Sequence, residues 1–256
     1  ASWGWRTAYL VYAGLAAEVS LPFLIFVIRY KPEDLGMKPY GYDPNEAAGR
    51  DAAPELSKGG VLAADALKSP VFYILLVIIG LIAFSTTYYQ HFSGFATSIG
   101  FTTVAAGTLV SAVSFGNMGL KFLYGILADL MGVRNSTILM CVIGGIGFVM
   151  LVMCQSSMPA MYVAAVCFGS TLALCAVGAP LLTKGIFGEK EYGSIFSYMS
   201  ICTYLVGAVG MSGIGFIYDA AGSYTPAFLI GGACIAVCLV LTFVAFAAKK
   251  SLKWQE

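Results

Sequence analysis

The sequence predicts an all-α membrane protein with seven transmembrane helices. Two observations carry that prediction. Seven long apolar runs, each bounded by charged or turn-forming residues, fill almost the whole of the 256-residue chain. The composition agrees: 59% of residues are hydrophobic and 11% charged, against roughly 25% charged in an average soluble domain. The runs cover residues 7–28, 70–89, 99–123, 137–154, 160–182, 195–218 and 227–248. Each is about 18 residues or more, the length a helix rising 1.5 Å per residue needs to cross a hydrocarbon core of roughly 30 Å.

The first run holds one acid, Glu18. A carboxylate within a membrane helix either faces a cavity or is satisfied by a neighbour, and both readings stand for Glu18. After this run comes the only long polar stretch, 29–68, with six basic and seven acidic residues and Pro32, Pro39, Pro44 and Pro54. Its near-neutral charge and irregular punctuation read as a tether between two halves. A short amphipathic stretch at 61–67 is expected to lie on the membrane surface.

Lys and Arg alternate between the short loops. They occupy 29–68, flank the turn at 129–134 (Lys121, Arg134), mark the next-but-one turn (Lys184, Lys190) and follow the last run (Lys249, Lys250, Lys253). The loops at 91–98, 155–159 and 219–224 carry none. By the positive-inside rule the linker and the C-terminus are cytoplasmic, in a multi-pass protein of the cell membrane. The chain opens with Ala, at the edge of a helix, and is expected to be a piece of something longer that lacks an N-terminal bundle. The expected organisation is 1–29 as the last helix of that bundle, 30–69 as the cytoplasmic linker, and 70–256 as a six-helix bundle with a short tail.

The second run ends in Tyr88-Tyr89-Gln90-His91, which contains the only histidine. Its titration range suits proton coupling, although its place near the outer face suits an interfacial residue as well. Tyr88, Tyr89, Tyr198 and Tyr204 are candidates to line a pathway, or to form interfacial belts. On the third run Asn117 and Lys121 are spaced i, i+4 and share a face. Lys121 could meet an anionic solute, or carry its amine out to the interface. Gly178-Ala-Pro180 interrupts the fifth run and marks a bending point. Gly207, Gly210, Gly213 and Gly215, with Ala165, Gly169 and Ala173, supply small faces for close packing.

The third and fourth runs are joined by Gly125-Ile-Leu-Ala-Asp129-Leu-Met-Gly132-Val-Arg134, where a helix ends and Gly132 permits a sharp turn. Asp129 can hold a neighbouring helix N-terminus or pair with a base across the turn. This G-x-L-x-D-x-x-G-x-R spacing resembles the second-half loop signature of the major facilitator superfamily. Three other stretches agree: Gly4-Trp5-Arg6 resembles the turn before the sixth helix. The R-x-x-P-x-x-x-G-x-x-P-x-G pattern over 29–41 resembles the start of the central loop in the oxalate/formate-antiporter and monocarboxylate-transporter branch. Residues 215–224 resemble that branch's turn between helices eleven and twelve.

The resemblance spans the chain and implies the equivalent of helices 6–12 of a twelve-helix carrier. It implies secondary active transport of a small organic solute, an organic anion or monocarboxylate, by alternating access. The partners so implied are the solute, a coupling proton or counter-anion, the bilayer and the missing N-terminal bundle. The family's usual Arg after the loop Asp is Leu130 here. Asn117 and Lys121 fall where that branch resembles an Asp and an Arg; the charge at 121 is kept, but the bidentate fork is lost. The resemblance to the antiporter branch implies a Lys in the eleventh helix, but the sixth run, 195–218, has no base, so a monoanion or a larger amphipathic acid fits better than a dianion.

A seven-helix receptor or sensor is the alternative, with the same topology. An enzyme is not expected, because the chain offers one histidine, no metal-spaced Cys or His set and no Gly-rich phosphate loop. No cofactor or metal is implied, and a net charge of +1 gives no pull toward nucleic acid.

Overall fold

The computed structural model of the chain describes residues 5–27, 59–252 and 254. Gly4, the 29–41 pattern and most of the linker lie outside the described residues. Two compact units divide the chain, Ala1–Leu56 and Ser57–Glu256.

The first unit contains helix α1, Trp5–Pro22, which passes into a π turn at Phe23–Val27. Its described side chains are exposed, Glu18 among them.

The second unit opens with the short helix α2, Ala63–Lys68, and then α3, Pro70–Ser98. Ser69 caps α3 by accepting the Val71 N–H at 3.2 Å, and Pro70 occupies a first-turn position where no N–H is needed. Helix α4 runs Thr103–Met153, and its 51 residues are far too many for one crossing of a 30 Å core. Gly132, at φ 83° and ψ 158°, breaks it into two arms, 103–131 and 133–153. A left-handed φ there is cheap only for glycine. With the arms counted separately, the described helices supply the seven spans read from the sequence.

Helix α5, Met158–Ala173, continues through a π turn at Leu174–Gly178 into α6, Ala179–Phe187. The reason is local. Pro180 has no N–H for the Ala176 carbonyl and its ring crowds that carbonyl. The backbone widens, and the Ala179 N–H reaches back five residues to Leu174. Helices α7, Tyr192–Ala221, and α8, Thr225–Ala248, complete the bundle.

Between membrane helices the hydrophobic effect offers little, so close packing must hold them. A Cβ on Gly116 would overlap the Val166 carbonyl, and one on Gly169 would overlap the backbone of Asn117. A Cβ on Gly147 would lie 2.7 Å from the Phe168 nitrogen. These glycines lock both arms of α4 to α5. In α7 only Gly210 behaves this way, against Phe84 and Thr87, whereas Gly207, Gly213 and Gly215 meet nothing within 4 Å. The expectation of close packing is therefore met in α5 and at one glycine of α7. Beside this seam Phe92, Phe148, Phe168 and Phe228 interlock, with ring centroids 5.3 to 6.4 Å apart. The Cys141 and Cys238 sulfurs lie 4.0 Å apart between the second arm of α4 and α8.

Two ends of the bundle are distinguishable. At one, Gly185 packs toward Val133, Lys249 Nζ donates to the Gly185 carbonyl at 2.7 Å, and the Arg134 guanidinium lies 5.0 Å from the Phe243 ring. At the other, Gly94 meets the Tyr224 hydroxyl and Gln155 reaches Thr225 at 3.5 Å. The stretch at 61–67 packs on the bundle. Val61 and Ala66 are buried and the segment is bonded to the turn after α6, so residues 59–68 belong with the bundle.

Candidate functional site

The first arm of α4 presents a ladder of small hydroxyls. Ser111 and Ser114 donate to carbonyls four residues back, Gly107 and Val110. Ser114 also meets the Tyr89 hydroxyl of α3 at 3.1 Å, and Thr108 meets Tyr162 of α5 at 2.6 Å. The sequence reading missed Thr108, Ser111, Ser114 and Tyr162. Their signal was present as polar residues recurring on one side of an apolar run, but their partners lie on other helices.

One turn further along, Asn117 and Lys121 share a face as their spacing predicts. The Asn117 Oδ1 is buried and has no hydrogen-bond partner among the described residues. A buried amide oxygen left unpaired costs on the order of 1–3 kcal/mol, so an orphan of this kind calls for an explanation. Lys121 is half-buried. An acceptor without a donor and a cation with no ion-pair partner among the described residues thus lie one turn apart on α4.

A cleft of about 520 Å³ opens further down α6, lined by Ala176, Pro180, Leu181, Lys184, Glu189 and Tyr192 among others. Its charged rim is the Lys184–Glu189 ion pair. Neither the cleft nor its ion pair was among the candidates read from the sequence.

The other candidates separate. Tyr88 is fully buried; its hydroxyl donates to the Ala227 carbonyl at 2.6 Å and its ring packs on Phe84, Phe148 and Phe228. It is packed in the core, with α8 supplying both its carbonyl and part of its packing. Tyr198 is partly exposed beside Phe72, with centroids 6.1 Å apart, and Tyr204 is 77% exposed. The His91 Nε2–H donates to the Met211 carbonyl of α7 at 3.0 Å, and its ring lies 6.0 Å from that of Tyr224. Far from the Asn117–Lys121 pair in sequence, His91 ties α3 to α7. Glu18 lies in the other compact unit.

In the turn motif Gly132 supplies the break expected of it. Asp129 is exposed and has no ion-pair partner among the described residues, while Arg134 stacks on Phe243 instead of reaching back across the turn. Leu130 is 77% exposed. Gly125 has no atom near its missing Cβ.

The sequence model of the Major Facilitator Superfamily matches residues 92–256, well over half of the chain. The chain belongs to this superfamily. No curated protein matches it. Among solved structures, the fucose:proton symporter of E. coli superposes with a TM-score of 0.57 at 14% identity, over 94% of this chain and 55% of the symporter. A bacterial homologue of the human lysosomal transporter Spinster, in an inward-facing and unoccupied conformation, gives a TM-score of 0.40 at 15% identity, over 95% of this chain and 65% of that one. The symporter likeness shows the fold, and the chain spans about half of that relative's length. Membership makes this a transporter-family protein and not an enzyme. Major facilitator membership and a transporter fold lend nothing to the receptor alternative.

Proposed function

We propose that the chain is the C-terminal part of a twelve-helix secondary carrier that moves a small organic anion, a monocarboxylate class of solute, by alternating access. The observation that carries the anion is half-buried Lys121, which shares a face of α4 with Asn117, whose buried acceptor oxygen suits a hydroxyl donor of the same solute. An ammonium in a low-dielectric site gains most from a single negative partner. The hydroxyls of Ser111 and Ser114 above it, whose O–H groups are given to backbone carbonyls, offer acceptor oxygens to hydroxyl groups of a polar solute.

In the mechanism so proposed, the solute's carboxylate sits against Lys121 while a second bundle closes over the exposed faces of α4 and α7, and the two bundles rock around that point. The linker and C-terminus are cytoplasmic in this reading. Support comes from the gathering of Lys68, Arg134, Lys184, Lys190 and Lys249 at the bundle end where the 59–68 segment docks.

The test is uptake by the complete carrier in proteoliposomes, using radiolabelled acetate and lactate as probes. Lys121→Ala abolishes uptake with expression intact, and Lys121→Arg retains part of it. Unchanged uptake in Lys121→Ala reduces the residue to an interfacial anchor.

A further inference from the structure

Residues 59–63 lie across the turn between α6 and α7 and are bonded to it in three places. The Val61 N–H donates to the Phe187 carbonyl at 2.8 Å, the Glu189 N–H to the Gly59 carbonyl at 3.3 Å, and the Ala63 N–H to the Glu191 carboxylate at 2.6 Å. Gly60 and Gly188 face each other as an isolated antiparallel bridge. Neither position has room for a side chain. A Cβ on Gly60 would lie 2.9 Å from both the Lys190 nitrogen and the Phe187 oxygen. Gly188, at φ 81°, meets the Gly59 carbonyl where its Cβ would be.

The turn so clasped is the far end of α6. The near end of α6 is the π turn at Leu174–Gly178, the one place where the α5–α6 span is not α-helical. A nine-residue arm therefore runs from a π turn at one end to the clasp at the other. Pro180, Leu181 and Lys184 of that arm line the 520 Å³ cleft, and Glu189 and Tyr192 beyond the turn complete it. The chain before Gly59 is the stretch that joins the first span to the second.

We propose that residues 59–63 are a latch that sets the position of the α6 arm, and with it the width of the cleft, with Glu191 as the positioning residue that closes it. Gly60 and Gly188 allow the two backbones to meet, and the Glu191 carboxylate fixes the register by capping the first N–H of α2. Opening the latch lets the arm swing about the π turn. Its role in solute movement rests on the transport reading above; the mechanical coupling of clasp to arm does not.

Amide hydrogen exchange and uptake, both measured on the complete carrier, test this. In Glu191→Ala, exchange rises about tenfold at residues 61–63, the factor that loss of one charge-assisted hydrogen bond implies. The proposal expects the same rise to spread into 179–187, and turnover to fall several-fold with KM unchanged. Glu191→Gln, which keeps an acceptor oxygen, restores most of both. Gly60→Val gives a larger opening, and if it does not assemble, the Glu191 pair decides. Exchange that rises at 61–63 and leaves 179–187 protected overturns the latch. Coupled opening with turnover unchanged overturns its role in solute movement. An unaltered carrier that takes up no anion refutes the transport reading, and the spread of exchange then decides the mechanical coupling alone.

Discussion

Helix α3 and helix α7 are both long and apolar, yet they live differently in this bundle. Of the most apolar stretch of α3, 61% is buried, against 11% for α7. Helix α3 contributes Tyr88, Phe92 and Phe95 to the aromatic core, where every ring has neighbours on several sides. Along α7, Ile201, Tyr204, Leu205, Val209 and Phe216 are all exposed. In lipid an exposed apolar side chain costs nothing, so burial here reports which helices must be fixed to one another. The α3 side is scaffold. The faces of α7 and of the first α4 arm, where the hydroxyl ladder and Lys121 stand, are the surface that a second bundle meets in the proposed carrier.

The largest expected effect falls on that open surface. Lys121→Ala lowers carboxylate uptake by the complete carrier at least about tenfold, the worth of one lost charge-assisted contact, while the thermal midpoint of the purified protein stays put. If unfolding moves and uptake does not, Lys121 belongs with the scaffold.

Glycine substitutions come next. Gly147→Ala forces a methyl against the Phe168 backbone and should destabilise by about 1–3 kcal/mol, read from thermal unfolding in detergent. Gly213→Ala on α7 has open space around it and should be neutral, or stabilising by up to about 1 kcal/mol through helix propensity. In the complete carrier Gly213→Ala turns destabilising if this stretch packs on the second bundle, which sharpens the division between the two helices.

A smaller difference is expected for tyrosines. Tyr88→Phe loses the bond to the Ala227 carbonyl and should cost about 1 kcal/mol. Tyr204→Phe on the exposed face should leave stability unchanged in the same assay. Smallest is Arg134→Gln, which removes a guanidinium from the Phe243 ring. At an exposed site that is worth about 0.5–1 kcal/mol.

Much of the fold was legible because length is the signal: a run of apolar residues either spans a bilayer or falls short. The break at Gly132 was readable from the turn motif, and the bend before Pro180 from the missing N–H. Which face of each helix is inside was not readable. Helices that meet lipid on one side and protein on the other are apolar all round, so periodicity could not tell Tyr88, in the core, from Tyr198 and Tyr204, which are exposed. The Asn117–Lys121 face was visible from i, i+4 spacing, whereas the unpaired Oδ1 that marks it depends on how α5 packs beside it. The clasp of 59–63 on 187–191 left no local trace, because Ala63 and Glu191 are 128 residues apart. Gly59-Gly60 and Gly188 look in sequence like ordinary loop glycines.

The central claim is that this bundle is one half of a carrier. It is tested most directly by determining the coding sequence upstream of Ala1. The account predicts five further membrane helices, with a basic-rich G-x-x-x-D-R-x-G-R turn between the second and third. A start codon close to Ala1 with no added helices would contradict it.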